Sequence, residues 1–272
     1  MPIVLKTSRE IEMMRRAGQV AHAILSKMRQ ACVPGATTLG LDMLAKAEMD
    51  KVGAKALSKN YPTYKEGEGF PGHTCISVNE EVVHGIPGSR TLKEGDVVTL
   101  DLAMSLDGYC ADTAITVGLG KVSAQARKLL DVTRSTLDLA LQQMRPGRRW
   151  SDIARLMQHQ VESNGFSVVR EFVGHGIGRL MHEDPKVPNF VTFEQLRSDF
   201  VLREGMTLAV EPMVVAGRRE VDLMPDQWTV VTSDGHPAAH FEHTVAVTAK
   251  GVDVLTDGRP GKTAAPAIAA RL

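Results

Sequence analysis

The sequence predicts an α+β fold of two pseudo-symmetric halves, whose strands join into one curved antiparallel sheet with helices over its outer face. Three observations predict it. An ordered internal repeat runs through the chain, a β-hairpin shows its turn in plain view, and acids sit in apolar strands at matching places in both halves. At 272 residues, 43% apolar and 24% charged, the chain can bury a sizeable core.

The first half opens with Ile11, Met14, Gly18, Ala21, Leu25 and Met28, which alternate spacings of three and four as a helical stripe does. The counterpart in the second half is Ala126, Leu130, Thr133, Leu137, Leu141 and Met144. Ser8 and Ser123 stand where helix N-caps would. Each run meets a Pro-Gly stop, Pro34-Gly35 and Pro146-Gly147, which favours a turn. A shorter helix follows each stop, Leu41 to Val52 and Ser151 to Glu162, and then the echoes His84-Gly85-Ile86 and His175-Gly176-Ile177.

LKEGDVVTLD, ending at Asp101, matches LREGMTLAVE, ending at Glu211, at a constant offset of 110. Each half then adds a strand with a second acid, Asp112 in ADTAITV and Glu242 in FEHTVAV. Five matches in one order favour duplication over chance. This reading gives a single domain over 1–255, with halves at about 8–120 and 123–255. A flexible tail rich in Ala, Gly, Pro and Arg is expected over 256–272.

Asp107-Gly108 reads as a two-residue hairpin turn. That turn sets Asp101 opposite position 114, two residues from Asp112, so both acids share one face. Two carboxylates on an apolar strand pair repel each other and are costly to desolvate, which a cation or a shared proton relieves. Glu211, Glu242 and His175 extend the set to four acids and one imidazole. Such a shell suits Mn²⁺, Fe²⁺, Co²⁺ or Zn²⁺, and four carboxylates can neutralise two dications in a hydrolytic centre. A lone acid in an apolar strand is commonly an edge charge or a cap, but four at duplicated positions are not explained that way.

The histidines divide. His22 and His159 lie on helical segments, His236 and His240 read as loop residues, and His243 as a supporting or structural residue. His84, His175 and His182 sit among glycines and prolines, as functional loops often do.

Lys plus Arg equals Asp plus Glu at 32 each, so no net field argues for a nucleic-acid function or an anionic membrane. The opening MPIVLKTSREIEMM lacks a signal peptide's apolar core, and no apolar run reaches the roughly 18 residues of a membrane span. Cys32, Cys75 and Cys110 fit reduced thiols in a cytoplasmic protein.

GHGIGRLMHEDP at 174–185, EGMTLAVEP at 204–212, FEHTVAV at 241–247, HGIPG at 84–88 and the Asp101/Asp112 pair resemble the type I methionine aminopeptidases, from about Thr7 to Leu255. That resemblance implies the pita-bread fold and removal of the initiator methionine from nascent proteins, favouring a small second residue. It implies two divalent ions held by Asp101, Asp112, His175, Glu211 and Glu242. Asp112 and Glu242 would bridge them, and Glu211 would also serve as base for the attacking water. His84 and His182 would flank the scissile amide, and Phe70, Cys75, Met181 and Trp228 would line the methionine pocket. The implied partners are the N-termini of nascent polypeptides, contact with the ribosome is compatible with that role, and the implied state is a monomer.

The chain departs from the family pattern at Met181, at His73 and across 61–69, where Tyr61 and Tyr64 are the candidates for a tyrosine at the pocket mouth. Two other readings compete: an Xaa-Pro peptidase of the same fold, and a non-catalytic binding protein of that fold.

Overall fold

The computed structural model describes residues 2–62 and 69–259. Tyr64 and residues 260–272 of the expected tail lie outside them. In chain order the first half holds α1 (Ser8–Ala31), α2 (Thr38–Val52), β1 (Lys55–Ala56), β2 (Cys75–Val78), β3 (Glu81–Val83), β4 (Val97–Leu106) and β5 (Tyr109–Gly118). The second half holds α3 (Ala124–Gln143), α4 (Trp150–Glu162), β6 (Ser167–Val168), β7 (Gly174–Gly176), β8 (Glu183–Val187) and α5 (Phe193–Arg197). It continues with β9 (Thr207–Val210), β10 (Met213–Val215), β11 (Val221–Leu223), β12 (Val230–Thr232), β13 (Ala238–His240), β14 (Glu242–Thr248) and β15 (Gly251–Val254).

Helix starts follow side-chain acceptors more closely than apolar spacing. The cap of α1 is Thr7 rather than Ser8. Thr7 and Glu10 form a reciprocal capping box, with Thr7 N–H donating to Glu10 Oε2 at 2.9 Å. Only Thr7 stands three residues before a glutamate, which that box requires. Ser123 does cap α3, its Oγ accepting from Ala126 N–H at 3.0 Å. The shorter helix α2 begins at Thr38, three residues before the apolar pattern, because Thr37 caps it through Gly40 N–H. The first turn of α4 lacks a cap from Arg149 and borrows Asp199, whose Oδ1 accepts from Ser151 N–H at 3.0 Å. On α3 the buried face runs through Leu129, Val132, Thr133, Thr136, Leu137 and Ala140. Leu130 and Leu141, expected at its centre, lie partly buried at its edge.

Among the described residues the main sheet has nine strands, ordered β1-β4-β5-β14-β9-β7-β8, with β2 also on β4 and β15 also on β14. The expected hairpin is present. Leu106 pairs with Tyr109, and Asp107 and Gly108 both take positive φ, at 51° and 79°. Positive φ at both centres is the turn that matches strand twist. The halves meet where β5 pairs antiparallel with β14. Each half keeps its own apolar cluster: α1, α2, β2 and β4 supply one, and α3, α4, β9 and β14 the other.

The second half's final strands lean on α1 of the first. A Cβ on Gly18 would lie 2.2 Å from the Leu255 carbonyl oxygen, so only glycine lets the backbone cross there. Thr256 is 1% exposed, its carbonyl faces His22 Nδ1 at 3.2 Å, and its Oγ1 pairs with His243 Nδ1 at 2.9 Å. Packing thus continues past the expected boundary at 256, because this threonine satisfies two histidines. Among the described residues no helix is long and apolar enough to cross a membrane.

Candidate metal centre and cleft

Strand register alone puts five side chains on one face. Asp101 pairs with Ala114, and Ala114 with Glu242, while Asp112 lies two residues from Ala114. Thr244, two along from Glu242, pairs with Ala209, and Ala209 pairs with His175. Glu211 lies two residues beyond Ala209. Cross-strand partners and residues two apart share a face, so all five point the same way. The β5–β14 ladder then opens. Thr244 Oγ1 fills the gap, accepting from Asp112 N–H at 2.9 Å and donating to the Asp112 carbonyl at 2.8 Å. That splay gives the carboxylates room.

His175 is delivered by a strand no other residues could form. A Cβ on Gly174 would lie 2.4 Å from the Ala209 carbonyl oxygen, and one on Gly176 2.2 Å from that of Asp184. The Gly-His-Gly segment is squeezed between β9 and β8, and only the histidine carries a side chain.

Asp112, His175 and Glu242 are 6%, 9% and 2% exposed, and their donor atoms lie within 4.8 Å of one another. His175 Nε2 stands 3.8 Å from Asp112 Oδ2 and 3.5 Å from Glu211 Oε1. Its Nδ1 faces the Gly176 carbonyl at 2.9 Å, which can only accept. Nδ1 therefore carries the proton, and the bare Nε2 lone pair faces two carboxylates. Glu242 Oε1 is buried without a hydrogen-bond partner. Four carboxylates with one imidazole, crowded into a buried site, fit a hard or borderline dication.

The electrostatics have one dominant cause. Burial raises Asp101, Glu211 and Glu242 well above the usual carboxylate range, with neighbouring acids adding to it. Burial lifts Asp112 to about 7, against hydrogen bonds from Thr113 and Glu242 that pull it down. Burial likewise lowers His84 and His175 to about 4 and His240 to about 3. An acid whose pKa rises on folding binds more protons folded than unfolded, so its contribution to stability falls as pH rises between the two values. For Asp112 that window runs from 3.8 to about 7. Imidazoles held neutral have the opposite slope between about 4 and 6.5. The two oppose each other below pH 6.5, and the carboxyls act alone above it. Metal-stripped protein should thus lose stability as pH rises from about 6.5 to 7, while metal-loaded protein, its acids ionised throughout, should not. Urea unfolding across that range tests this, and equal slopes for the two forms would refute it.

Further side chains gather beside this face. His84 takes φ 59°, the left-handed region that few side chains adopt, and its ring meets Phe172 edge-on at 5.3 Å. Non-glycine residues held there cluster at functional sites. His182 lies in the bend before β8, its ring 4.3 Å from that of His175, and its Nδ1 is 2.8 Å from Tyr61 Oη. Of the two tyrosine candidates, Tyr61 thus reaches this group. Of the residues expected in the pocket, Phe70 and Trp228 touch edge-to-face at 5.2 Å, and Cys75 pairs with Asp101 across β2 and β4. Met181 precedes His182 in the bend before β8. His73, at a departure from the family pattern, donates its backbone N–H to Asp42 Oδ1 at 2.8 Å.

Two residues near the face were not expected there. His240, read as a loop residue, ends β13 and is 2% exposed, with Nε2 3.8 Å from Glu211 Oε2. Its parity with Glu242 and Thr244 was the available signal, masked by the prolines and glycines before it. Asn189, 1% exposed, donates Nδ2–H to the Glu211 carbonyl at 3.0 Å. Nothing in its sequence context marks it.

Two like halves that enclose a buried cluster of carboxylates and an imidazole define a metal-dependent hydrolase. Comparison with known proteins agrees. The model of Metallopeptidase family M24 matches residues 12–249. Methionine aminopeptidase 1 of Bacillus subtilis is 45% identical over 254 residues, which is 93% of this chain and 99% of that protein. The crystal structure of methionine aminopeptidase from Thermotoga maritima superposes with a TM-score of 0.88 at 41% identity, covering 94% of this chain and 99% of that one. The prolidase of Pyrococcus horikoshii shares the fold at a TM-score of 0.73 and 19% identity, with 64% of its chain covered. The chain belongs to metallopeptidase family M24 and, within it, to the methionine aminopeptidases.

Proposed function

We propose that this chain removes the initiator methionine from the N-termini of nascent proteins with two divalent ions, favouring a small second residue. The observation that carries the reading is that five ligand-type side chains share one face by register, three of them, Asp112, His175 and Glu242, with ligand atoms within 4.8 Å of one another. These three would hold the ions, together with Asp101 and Glu211 on the same face. When bound, the ions polarise the scissile carbonyl and make a water acidic enough to attack at neutral pH. The same donors accept Co²⁺, Mn²⁺, Fe²⁺ or Zn²⁺.

The remaining work falls to the chain. Glu211 takes the proton of the attacking water. His84 and His182 flank the amide as neutral N–H donors to the developing oxyanion. Phe70, Trp228, Cys75 and Met181 enclose the methionine side chain, an apolar wall that rewards a flexible thioether. A cytoplasmic monomer that meets chains as they leave the ribosome fits this role.

A peptidase assay on metal-stripped protein tests the reading, with Met-Ala-Ser and Ala-Pro-Ser peptides offered with and without Mn²⁺ or Co²⁺. Release of methionine that depends on added metal is expected. Cleavage only before proline would replace the reading with an Xaa-Pro peptidase, and no cleavage despite bound metal would point to a non-catalytic binding protein.

A further inference from the structure

His240 is almost wholly buried, yet neither ring nitrogen has a hydrogen-bond partner. Buried polar groups without partners are rare in native proteins, and each needs a reason. Looseness is not the reason here. Thr116 Oγ1 accepts from His240 N–H at 2.8 Å and donates to the His240 carbonyl at 2.7 Å. On the other side His240 pairs with Met213 in the β13–β10 ladder. Only the side-chain torsions remain free, and Nε2 lies 3.8 Å from Glu211 Oε2.

Glu211 stands between two imidazoles, one for each oxygen. His175 Nε2 faces Oε1 at 3.5 Å, and His240 faces Oε2. The two rings are not equivalent. Among the described residues His175 shares its donor cluster with Asp112 and Glu242, and His240 stands outside it. The backbone of Glu211 is tied independently, since Asn189 donates to its carbonyl at 3.0 Å. What remains is the rotation of the carboxylate, which presents one oxygen to each ring.

We infer that His240 is a positioning residue for Glu211, donating Nε2–H to Oε2 and so fixing the rotation of the carboxylate. The inference rests on the reading of Glu211 as the base for the attacking water. Closing the gap to an ordinary hydrogen bond takes about 0.8 Å, within reach of a small turn of the carboxylate. Without that bond both oxygens can swing toward the ligand cluster, and the lone pair meant for the water loses its direction. Outer partners of this kind are worth about 10- to 100-fold in metal affinity or activity.

Three variants test it, H240L, H240Q and H240N, each assayed for kcat and KM on Met-Ala-Ser and for bound metal by mass spectrometry. Glutamine places an N–H where Nε2 stood, and asparagine only where Nδ1 stood. H240L and H240N should lose about 10- to 100-fold in kcat with KM and metal content held, and H240Q should recover most of the loss. Unchanged kcat in H240L, equal loss in H240Q and H240L, or rescue by H240N instead would overturn the inference. Metal loss in H240L that H240Q does not restore would overturn it too, since the effect would then not lie with the Nε2–H contact. If H240L fails to fold, the comparison of H240Q with H240N still decides. Failure of wild-type protein to release methionine would count against the proposed function, not against this contact.

Discussion

Replacing Glu242 with glutamine should abolish metal binding and peptidase activity together, a loss of at least about 10³-fold in kcat, yet leave the metal-free fold no less stable than wild type. The two halves of that expectation come from the same burial. Glu242 is 2% exposed, pairs across from Ala114, and shares a hydrogen bond with Asp112. Its Oε1 has no partner at all. An unsatisfied buried acceptor costs about 1–3 kcal/mol, and the acids around it raise that cost whenever Glu242 ionises. A neutral amide of the same shape removes the charge from this crowded point. An ordinary core truncation would instead destabilise by about 2–5 kcal/mol.

Metal reverses the ranking. An ion present at 100 times its dissociation constant stabilises wild-type protein by about 2.7 kcal/mol and the variant by none. Thermal unfolding with and without Mn²⁺, beside the peptidase assay, reads both effects. Retained activity in Glu242→Gln would end the bridging role, and a lower metal-free Tm would show that the carboxyl stabilises the fold on its own account.

Much of this site was legible because its geometry depends on parity. The Asp107-Gly108 turn sets the register, and the register alone determines that Asp101 and Asp112 share a face. The repeat carried the second pair of acids to matching positions. The misses share a physical cause. Thr7 rather than Ser8 caps α1 because a cap depends on which donor its side chain meets, and apolar spacing says nothing of that. His240 was read as a loop residue because Pro237 and Gly235 precede it, while its burial comes from Thr116 in the other half of the chain. Asn189 acts on Glu211 across 22 residues through a single amide. Contacts made by one side chain across the fold leave no period to find.

His84→Asn should keep its metal and lose about 10²- to 10³-fold in kcat, with little change in KM, because one oxyanion donor is worth about that much. Asparagine is the informative choice because His84 sits at φ 59°, and asparagine tolerates that region far better than alanine. The backbone beside Gly85 should then stay in place. It has no room to shift, since a Cβ on Gly85 would already lie 2.3 Å from the Ile76 carbonyl oxygen. Any loss of rate therefore belongs to the imidazole itself. Its ring lies edge-on to Phe172, and burial lowers its pKa to about 4, so at neutral pH it can offer only one N–H. His84→Ala removes the ring and adds backbone strain of about 1 kcal/mol, so it should lose the same rate and some stability besides. Metal content, kcat and Tm measured on both variants separate the terms. If His84→Asn lost metal, His84 would be a ligand rather than a donor to substrate. If it kept full kcat, the oxyanion would have to be stabilised elsewhere, with His182 and its contact to Tyr61 the next group to remove.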